Sequence, residues 1–236
     1  MNRYRKDSRG FTIVELSIAM TLLSVLLIVI VFLVIRIGGI YTKGVTMKSV
    51  NQAGQVIVSD MRMTIGDAGA FPLAASFIEQ KDANGRVAGG RLCTGEYSYV
   101  WNIGTTVETD ASGGVQQENN YDGDGAPIRF VRSLDNDSTY CTVSASGEMP
   151  AVIKGNSTEL LSESDLAIQD FAMTQLTTNM ASGASVYKIT MLISNADTES
   201  IESASNTCRP PSVSDDRFCA VNEFGFTVHA SGKRGG

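Results

Sequence analysis

The sequence has a single histidine, His229, together with five prolines and one tryptophan in 236 residues. One histidine leaves almost no material for a histidine metal site or a Ser/His/Asp triad. The chain also lacks a Gly-x-Ser-x-Gly element, a P-loop and any Cys-x₂-Cys pair, so nothing predicts hydrolase chemistry, nucleotide binding or a zinc site. Its formal charge of −6 is the opposite of the basic balance of a general nucleic-acid binder. We therefore expect neither an enzyme nor a nucleic-acid-binding protein.

One long apolar run dominates the N-terminal part of the chain. Residues 11–35 contain one charged side chain, Glu15. A helix of that length spans roughly 37 Å, enough to cross a bilayer core of about 30 Å. A secretory signal fits poorly, because its apolar region is about 7–15 residues and ends at a small-residue cleavage site. The ten residues before the run carry a net charge of +3, from Arg3, Arg5, Lys6, Arg9 and Asp7.

Glu15 and the cysteines bear on the role and the orientation of this apolar segment. A carboxylate in hydrocarbon costs about 2.5–3.5 kcal/mol, so it usually has a partner or a task. Basic residues flank the run almost equally on both sides, and the positive-inside rule therefore does not decide the orientation. The four cysteines favour an oxidising compartment for the C-terminal part, with the basic leader in the cytoplasm.

The residues Arg9-Gly10-Phe11-Thr12-Ile13-Val14-Glu15-Leu16 resemble the class III signal of type IV prepilins and type II secretion pseudopilins. The resemblance covers roughly residues 1–60. It implies that a prepilin peptidase cuts between Gly10 and Phe11 and methylates the new amino group of Phe11. It also implies that Glu15, the fifth residue of the mature chain, neutralises the terminal amine of a neighbouring subunit during assembly.

The resemblance implies a function, a set of partners and a location. We expect a minor pilin-like structural subunit of a type IV pilus, serving adhesion, motility or DNA uptake. Its partners would be the prepilin peptidase, the pilus assembly machinery, the cytoplasmic membrane before assembly, and other pilins through the N-terminal helix. The head would face outward from a single-pass anchor and later lie in an extracellular filament. Two alternatives are a type II secretion pseudopilin and an uncleaved, membrane-anchored extracytoplasmic binding domain.

The hydrophobic period divides the rest of the chain. Residues 11–36 would form the transmembrane or filament-core helix after a cleaved leader of residues 1–10. Val50, Ala53, Ile57, Met61 and Ile65 recur at helical spacing, which predicts an amphipathic continuation over residues 37–66. Gly38, Gly39 and Gly44 are points where this helix can bend or melt, and Gly66 and Gly69 are expected to stop it.

A period of two replaces the helical period after about residue 70. Apolar residues alternate with polar ones around Tyr99, Phe130, Ile168, Ile189 and Phe226, which predicts antiparallel strands with one buried face. We therefore expect an α+β, pilin-like fold, in which a long N-terminal transmembrane helix packs on an antiparallel β head of residues 67–230. Two loops, 104–126 and 194–218, are expected to interrupt the sheet, and a frayed tail of residues 231–236 follows.

Four cysteines permit three disulfide pairings. Cys208 and Cys219 are eleven residues apart and flank a Pro-Pro turn, which favours a local bridge and leaves Cys93 to pair with Cys141. The C-terminal bridge resembles the disulfide-bounded loop of many pilins, where receptor contacts concentrate. A purely structural role for both bridges is the alternative.

Two further features have a functional and a structural interpretation. Residues 120–125 place oxygen ligands at Asn120, Asp122 and Asp124, as at the start of a calcium loop. The twelfth position is Val131 instead of a bidentate glutamate, so the full motif is missing and a solvated turn is the alternative. We expect no resident cofactor or metal, with calcium as the one candidate. Similarly, Tyr97, Tyr99 and Trp101 suit a stacking platform for single-stranded DNA, but strand spacing more often indicates core residues.

Overall fold

The computed structural model describes residues 11–81, 85–104, 107, 121–122, 127–143, 149–161, 166–179, 184–195, 199–202, 205–210, 212–214 and 218–231. The leader, Asn120, Asp124, most of the 104–126 loop and residues 232–236 of the tail lie outside these ranges. The chain divides between Thr42 and Lys43 into two compact units. Among the described residues, the first unit contains the N-terminal part of one long helix, and the strands lie in the second unit.

The long N-terminal helix, α1, runs over Ile13–Asp67. It remains helical at Gly38, Gly39 and Gly44 and ends between the two glycines expected to stop it. A four-residue helix, α2, follows at Leu73–Ser76, where the extended φ and ψ of Pro72 mark its start.

The head contains two antiparallel sheets and a short ribbon. The first sheet has the order β1-β2-β3-β4-β5 and the second the order β10-β7-β6, with β8 and β9 paired separately. The bounds are β1 Phe77–Lys81, β2 Val87–Cys93, β3 Tyr97–Asn102, β4 Phe130–Leu134, β5 Ser157–Glu159, β6 Leu166–Asn179, β7 Ala184–Asn195, β8 Ile201–Glu202, β9 Thr207–Cys208 and β10 Val221–Ala230. Two 3₁₀ turns lie at Thr139–Cys141 and Lys154–Asn156. The α+β architecture predicted from the sequence is confirmed.

The main core lies between the C-terminal part of α1 and the two sheets. Val50, Ile57, Met61 and Ile65 are fully buried on the predicted helix face. They join an aromatic cluster in which Trp101 and Phe171 have ring centroids 4.5 Å apart. Each such buried side chain stabilises the fold by about 1.5–3 kcal/mol, so this face accounts for the attachment of residues 43–67 to the head.

Three details of the strand prediction are wrong. The five-stranded sheet is buried on both faces along β2 and β3, because a second apolar cluster around Val100, Val131 and Tyr140 covers the side opposite the main core. Ile128, which alternates with Phe130 around Arg129 and is therefore expected in the same strand, is buried but precedes β4, which begins at Phe130. The expected loop of residues 194–218 contains β8 and β9, and its first two residues belong to β7.

Candidate functional site: the N-terminal segment and its head

The N-terminus of α1 is closed by a reciprocal pair of hydrogen bonds between Thr12 and Glu15. The Glu15 backbone N–H donates to Thr12 Oγ1 at 3.2 Å, and the Thr12 backbone N–H donates to Glu15 Oε2 at 3.0 Å. The Thr12 hydroxyl also donates to Glu15 Oε2, at 2.8 Å. This is a capping box, which satisfies two of the free donors at a helix start and places a carboxylate at the positive end of the helix dipole. The Glu15 carboxylate thus has a partner within its own chain.

The large side chains in the apolar part of α1 are exposed. Its large apolar side chains from Ile13 to Ile37 are between 46% and 86% exposed. The three hydroxyls in the segment are bonded within the helix: Ser17 to the Val14 carbonyl, Thr21 to that of Ile18 and Ser24 to that of Met20, at 2.8–2.9 Å. Because these hydroxyls have internal acceptors, they need no water, which suits a lipid or protein environment. By length and composition, α1 is long and apolar enough to cross a membrane.

A polar cluster of Asp60, Tyr99 and Arg132 links α1 to the first sheet. Arg132 Nη1, on β4, donates to both carboxylate oxygens of Asp60 on α1, at 2.5 and 3.0 Å. The Tyr99 hydroxyl donates to Asp60 Oδ2 at 3.4 Å, and the Arg132 guanidinium carbon lies 5.0 Å from the Tyr97 ring centroid. Burial raises the pKa of Asp60 despite the opposing effect of the Arg132 charge, and burial also raises the pKa of Tyr99. The cluster sets the helix at a defined register on the sheet.

Two disulfides close the head. Cys93 at the end of β2 is bonded to Cys141, with Cα atoms 6.2 Å apart, and Cys208 on β9 is bonded to Cys219, with Cα atoms 5.8 Å apart. These are the two pairings that the sequence favoured. From their sequence separations of 48 and 11 residues, loop-closure entropy predicts about 4 and about 3 kcal/mol of stabilisation.

Sequence reasoning did not predict the contacts of three polar side chains that organise the head. Arg91 is fully buried and donates to the carbonyls of Tyr140 and Pro150 at 3.0 and 2.7 Å. Glu159 accepts the backbone N–H of Phe130 at 2.8 Å and the Tyr121 hydroxyl at 3.3 Å. Burial raises the pKa of Glu159, against the lowering effect of its hydrogen bonds from the backbone N–H groups of Phe130, Arg129 and Leu161.

The third such residue, Asp135, belongs to an acidic turn that resembles the calcium candidate in composition. Its carboxylate accepts the Ser98 hydroxyl at 2.6 Å and the backbone N–H groups of Thr139 and Tyr140 at 2.7 and 3.1 Å. These three donors account for the aspartate at this position of the turn.

The calcium candidate is only partly visible. Asp122 is exposed, and its backbone N–H donates to the Val152 carbonyl at 2.8 Å. Asn120 and Asp124 lie outside the described residues. Within the described part of the chain, no group of three or more His, Cys, Asp or Glu side chains is placed to hold a metal ion. Calcium binding at this loop stays a prediction.

The aromatic residues of β3 belong to the core. Tyr99 and Trp101 are buried, and Tyr97 is half-buried below Arg132. Their burial therefore supports a role in the core and not a stacking platform for DNA. His229 is exposed on β10.

Comparison with known proteins addresses the N-terminal segment. The sequence pattern described as the prokaryotic N-terminal methylation motif matches residues 5–31. This chain carries that methylation motif. The motif is the hallmark of type IV pilins and pseudopilins, as the resemblance at Gly10, Phe11 and Glu15 predicted. No curated protein and no solved structure matches the chain at a significant level.

The matched residues include the capping box and most of the exposed apolar half of α1. The methylation motif implies processing by a prepilin peptidase and assembly with other pilins. The head lies outside the matched residues, so its role has to be argued from its own surface.

Proposed function

We propose that this chain is a minor pilin-like structural subunit of a type IV pilus. It is cleaved between Gly10 and Phe11, methylated at Phe11, anchored by residues 11–36 in the cytoplasmic membrane and then moved into an extracellular filament. The subunit acts by packing and presenting its head, without chemistry of its own. The observation that carries the proposal is the combination of the methylation motif with an apolar helical segment whose large side chains are exposed.

The exposed apolar segment requires a different environment before and after assembly. Transferring apolar surface out of water is favourable by roughly 25 cal/mol per Å², so this segment needs lipid or other apolar helices around it. A bundle of such helices in a filament core replaces the lipid without exposing the side chains to water. The internally bonded hydroxyls of Ser17, Thr21 and Ser24 suit both environments.

Processing changes the electrostatics at the start of α1. Removing a leader of net charge +3 from a chain of −6 leaves a mature subunit of −9 and creates an amino group at Phe11. In the precursor, Glu15 is held by Thr12. In the filament, the terminal amine of a neighbouring subunit supplies the positive charge, because an unpaired carboxylate in an apolar core is costly.

The head suits an exposed position outside the cell. Both disulfides are typical of an oxidising compartment, which supports a head outside the cell and a basic leader inside. A minor role is favoured by the chain's length and by the long loops that the sequence predicts, such as 104–126, because such loops would be hard to accommodate on a densely repeated filament surface.

Shearing of surface filaments tests the proposal. Cells producing the wild type, Glu15→Ala or Ser17→Ala are sheared, and the head is detected separately in the sheared and membrane fractions. Ser17→Ala is the matched control, because it truncates a neighbouring polar residue whose hydroxyl bonds only within its own helix. We expect the wild type and Ser17→Ala in the sheared fraction, and processed Glu15→Ala retained in the membrane.

The same fractions separate the alternatives. A processed wild-type chain that never reaches the sheared fraction would favour a type II secretion pseudopilin. An uncleaved chain, unaffected by Glu15→Ala or by Gly10→Val at the scissile bond, would indicate an anchored extracytoplasmic binding domain.

A further inference from the structure

Two Asn-x-Ser/Thr tripeptides occur in the chain, and both lie in the described part of the head. They are Asn136-Asp137-Ser138 and Asn156-Ser157-Thr158. In exported proteins this tripeptide is the acceptor sequence for N-linked glycans, with the asparagine amide as the attachment point. A pattern this short also occurs by chance, so exposure and local geometry have to separate a modified asparagine from an ordinary one.

The side chain of Asn156 is exposed and takes no part in holding the fold. Its backbone N–H donates to the Ile153 carbonyl at 3.2 Å, and its own carbonyl accepts the Ser133 hydroxyl at 3.5 Å. Among the described residues, none bonds to its side-chain amide. The fold therefore uses the backbone of Asn156 and leaves the amide accessible.

The backbone places the Asn156 amide and the Thr158 hydroxyl on one side of the chain. Ser157 between them is extended, with φ −122° and ψ 148°, so its two neighbours point to the same side. The Ser157 hydroxyl is engaged elsewhere, because it donates to the Ile153 carbonyl at 2.7 Å. Thr158 is exposed on β5, the three-residue strand at the edge of the first sheet. The amide and the hydroxyl of this acceptor are thus both accessible from solvent.

The charges next to the two asparagines differ in sign. Lys154 precedes Asn156 by two residues and is exposed, whereas Asn136 lies between Asp135 and Asp137. Glycan donors that carry a diphosphate are anionic. A lysine attracts such a donor, and two carboxylates repel it. Electrostatics therefore favours Asn156 over Asn136 as the acceptor.

Two half-exposed apolar side chains adjoin the Asn156 acceptor. The register of β4 and β5 pairs Ser133 with Ser157, so Leu134 and Asn156 are the next residues at that end of the ladder. Leu134 and Ile153 are each 48% exposed. The C–H faces of sugar rings pack on such side chains and remove apolar area from water. A glycan at this position therefore has a surface to rest on.

We propose that Asn156 is an N-glycosylation site, which takes a glycan from a polyprenyl-diphosphate-linked donor once the head has been exported. The Nδ2 atom of Asn156 bonds to the anomeric carbon of the first sugar, while the bond from that carbon to the phosphate oxygen breaks. Polyprenyl diphosphate leaves, and one amide proton passes to a base of the transferring enzyme. The proposal requires an exported head and applies equally to a pilin and to a pseudopilin.

The test uses the full chain purified from the cells that produce it, reduced and digested with trypsin. The two acceptors fall in separate tryptic peptides, 133–154 and 155–188. We expect a glycan mass on peptide 155–188, located on Asn156 by fragmentation, and a smaller modified fraction of peptide 133–154. The same digest yields the N-terminal peptide, so loss of prepilin processing and absence of the glycan are measured separately.

Thr158 offers a matched pair of variants at an exposed position. Thr158→Ser keeps the hydroxyl and should retain the glycan, whereas Thr158→Val keeps the shape without it. Thr158→Val should lower the modified fraction at least about tenfold, the equivalent of one lost hydrogen bond to the enzyme. Asn136→Gln should leave peptide 155–188 modified, and Asn156→Gln should abolish its modification.

Three results would overturn the proposal. The first is an unmodified peptide 155–188 from the wild type. The second is a glycan that persists in Asn156→Gln, which would place it on a hydroxyl of Ser157 or Thr158. The third is an equal loss of modification in Thr158→Ser and Thr158→Val, because the hydroxyl would then have no role.

Discussion

Replacement of Gly54 by alanine tests how closely α1 approaches β10. Gly54 is buried in the middle of the helix, and a Cβ at this position would overlap three ring carbons of Phe224. Alanine is better than glycine in a helix by about 1 kcal/mol, whereas overpacking of a filled core costs about 1–3 kcal/mol. Because Phe224 is only 7% exposed and has little room to tilt, the steric cost of the overlap should exceed the gain in helix propensity. We expect net destabilisation of about 1 kcal/mol.

Gly44 supplies the matched control. It lies in the same helix and is exposed, and among the described residues no atom beyond its chain neighbours and the adjacent helix backbone lies within 4 Å of the position that an alanine methyl group would occupy. Gly44→Ala should therefore stabilise the chain by about 0.5–1 kcal/mol, since only the helix propensity changes. We therefore predict changes of opposite sign in the free energy of unfolding for the two Gly→Ala substitutions.

Guanidinium unfolding of the full chain in micelles, followed by Trp101 fluorescence, measures both effects. Trp101 is the only tryptophan and is buried against Phe171, so its emission reports the head core. Phe224→Leu in the Gly54→Ala background should recover part of the loss, with a coupling energy of about 1 kcal/mol. Equal stabilisation by Gly54→Ala and Gly44→Ala would refute the close approach of α1 to β10.

Three further predictions concern the polar and covalent ties of the head. Arg132→Met leaves the largely buried Asp60 carboxylate without its cation, and it should lower the free energy of unfolding by about 1–3 kcal/mol at pH 7. The loss should be smaller at pH 4, because the raised pKa of Asp60 favours its neutral form there. Equal losses at both pH values in denaturant unfolding would contradict the role of Arg132 as the partner of this charge. The raised pKa of Glu159 means that its stabilising contribution is present below the ordinary pKa of a glutamate and is lost as the pH rises through the folded pKa. The melting temperature of Glu159→Gln should therefore rise relative to that of the wild type as the pH increases. A difference in melting temperature that does not change with pH would contradict this prediction. Replacing both Cys93 and Cys141 by alanine should cost about 4 kcal/mol, and a loss under about 1 kcal/mol in unfolding experiments would refute the loop-closure argument.

Periodicity predicted the elements whose packing is one-sided. The buried face of α1 from Val50 to Ile65 has helical spacing, and β10 alternates between exposed and buried from Glu223 to Ala230. In both elements the other side faces solvent, so the apolar positions in the sequence are the buried ones and the polar positions are the exposed ones. The Thr12–Glu15 capping box also has a readable sequence signature, Thr-x-x-Glu, although sequence reasoning assigned Glu15 only its role between subunits.

Burial on both faces and polar contacts across the fold were harder to predict. β2 and β3 are buried on both sides because residues from distant segments, such as Tyr140 and Val152, complete a second cluster. Arg91 and Glu159 bond mainly to backbone groups that only the tertiary structure brings near them. Almost every residue has the same backbone N–H and C=O groups, so the sequence does not indicate which of them bond to Arg91 or Glu159.

The N-terminus of the mature protein tests the central claim most directly. Intact-mass and N-terminal peptide analysis is carried out on the chain purified from a host whose other prepilins are processed. The account predicts a polypeptide that begins at Phe11 and carries one added methyl group on its α-amino nitrogen. A chain that still begins at Met1 in that host would contradict it.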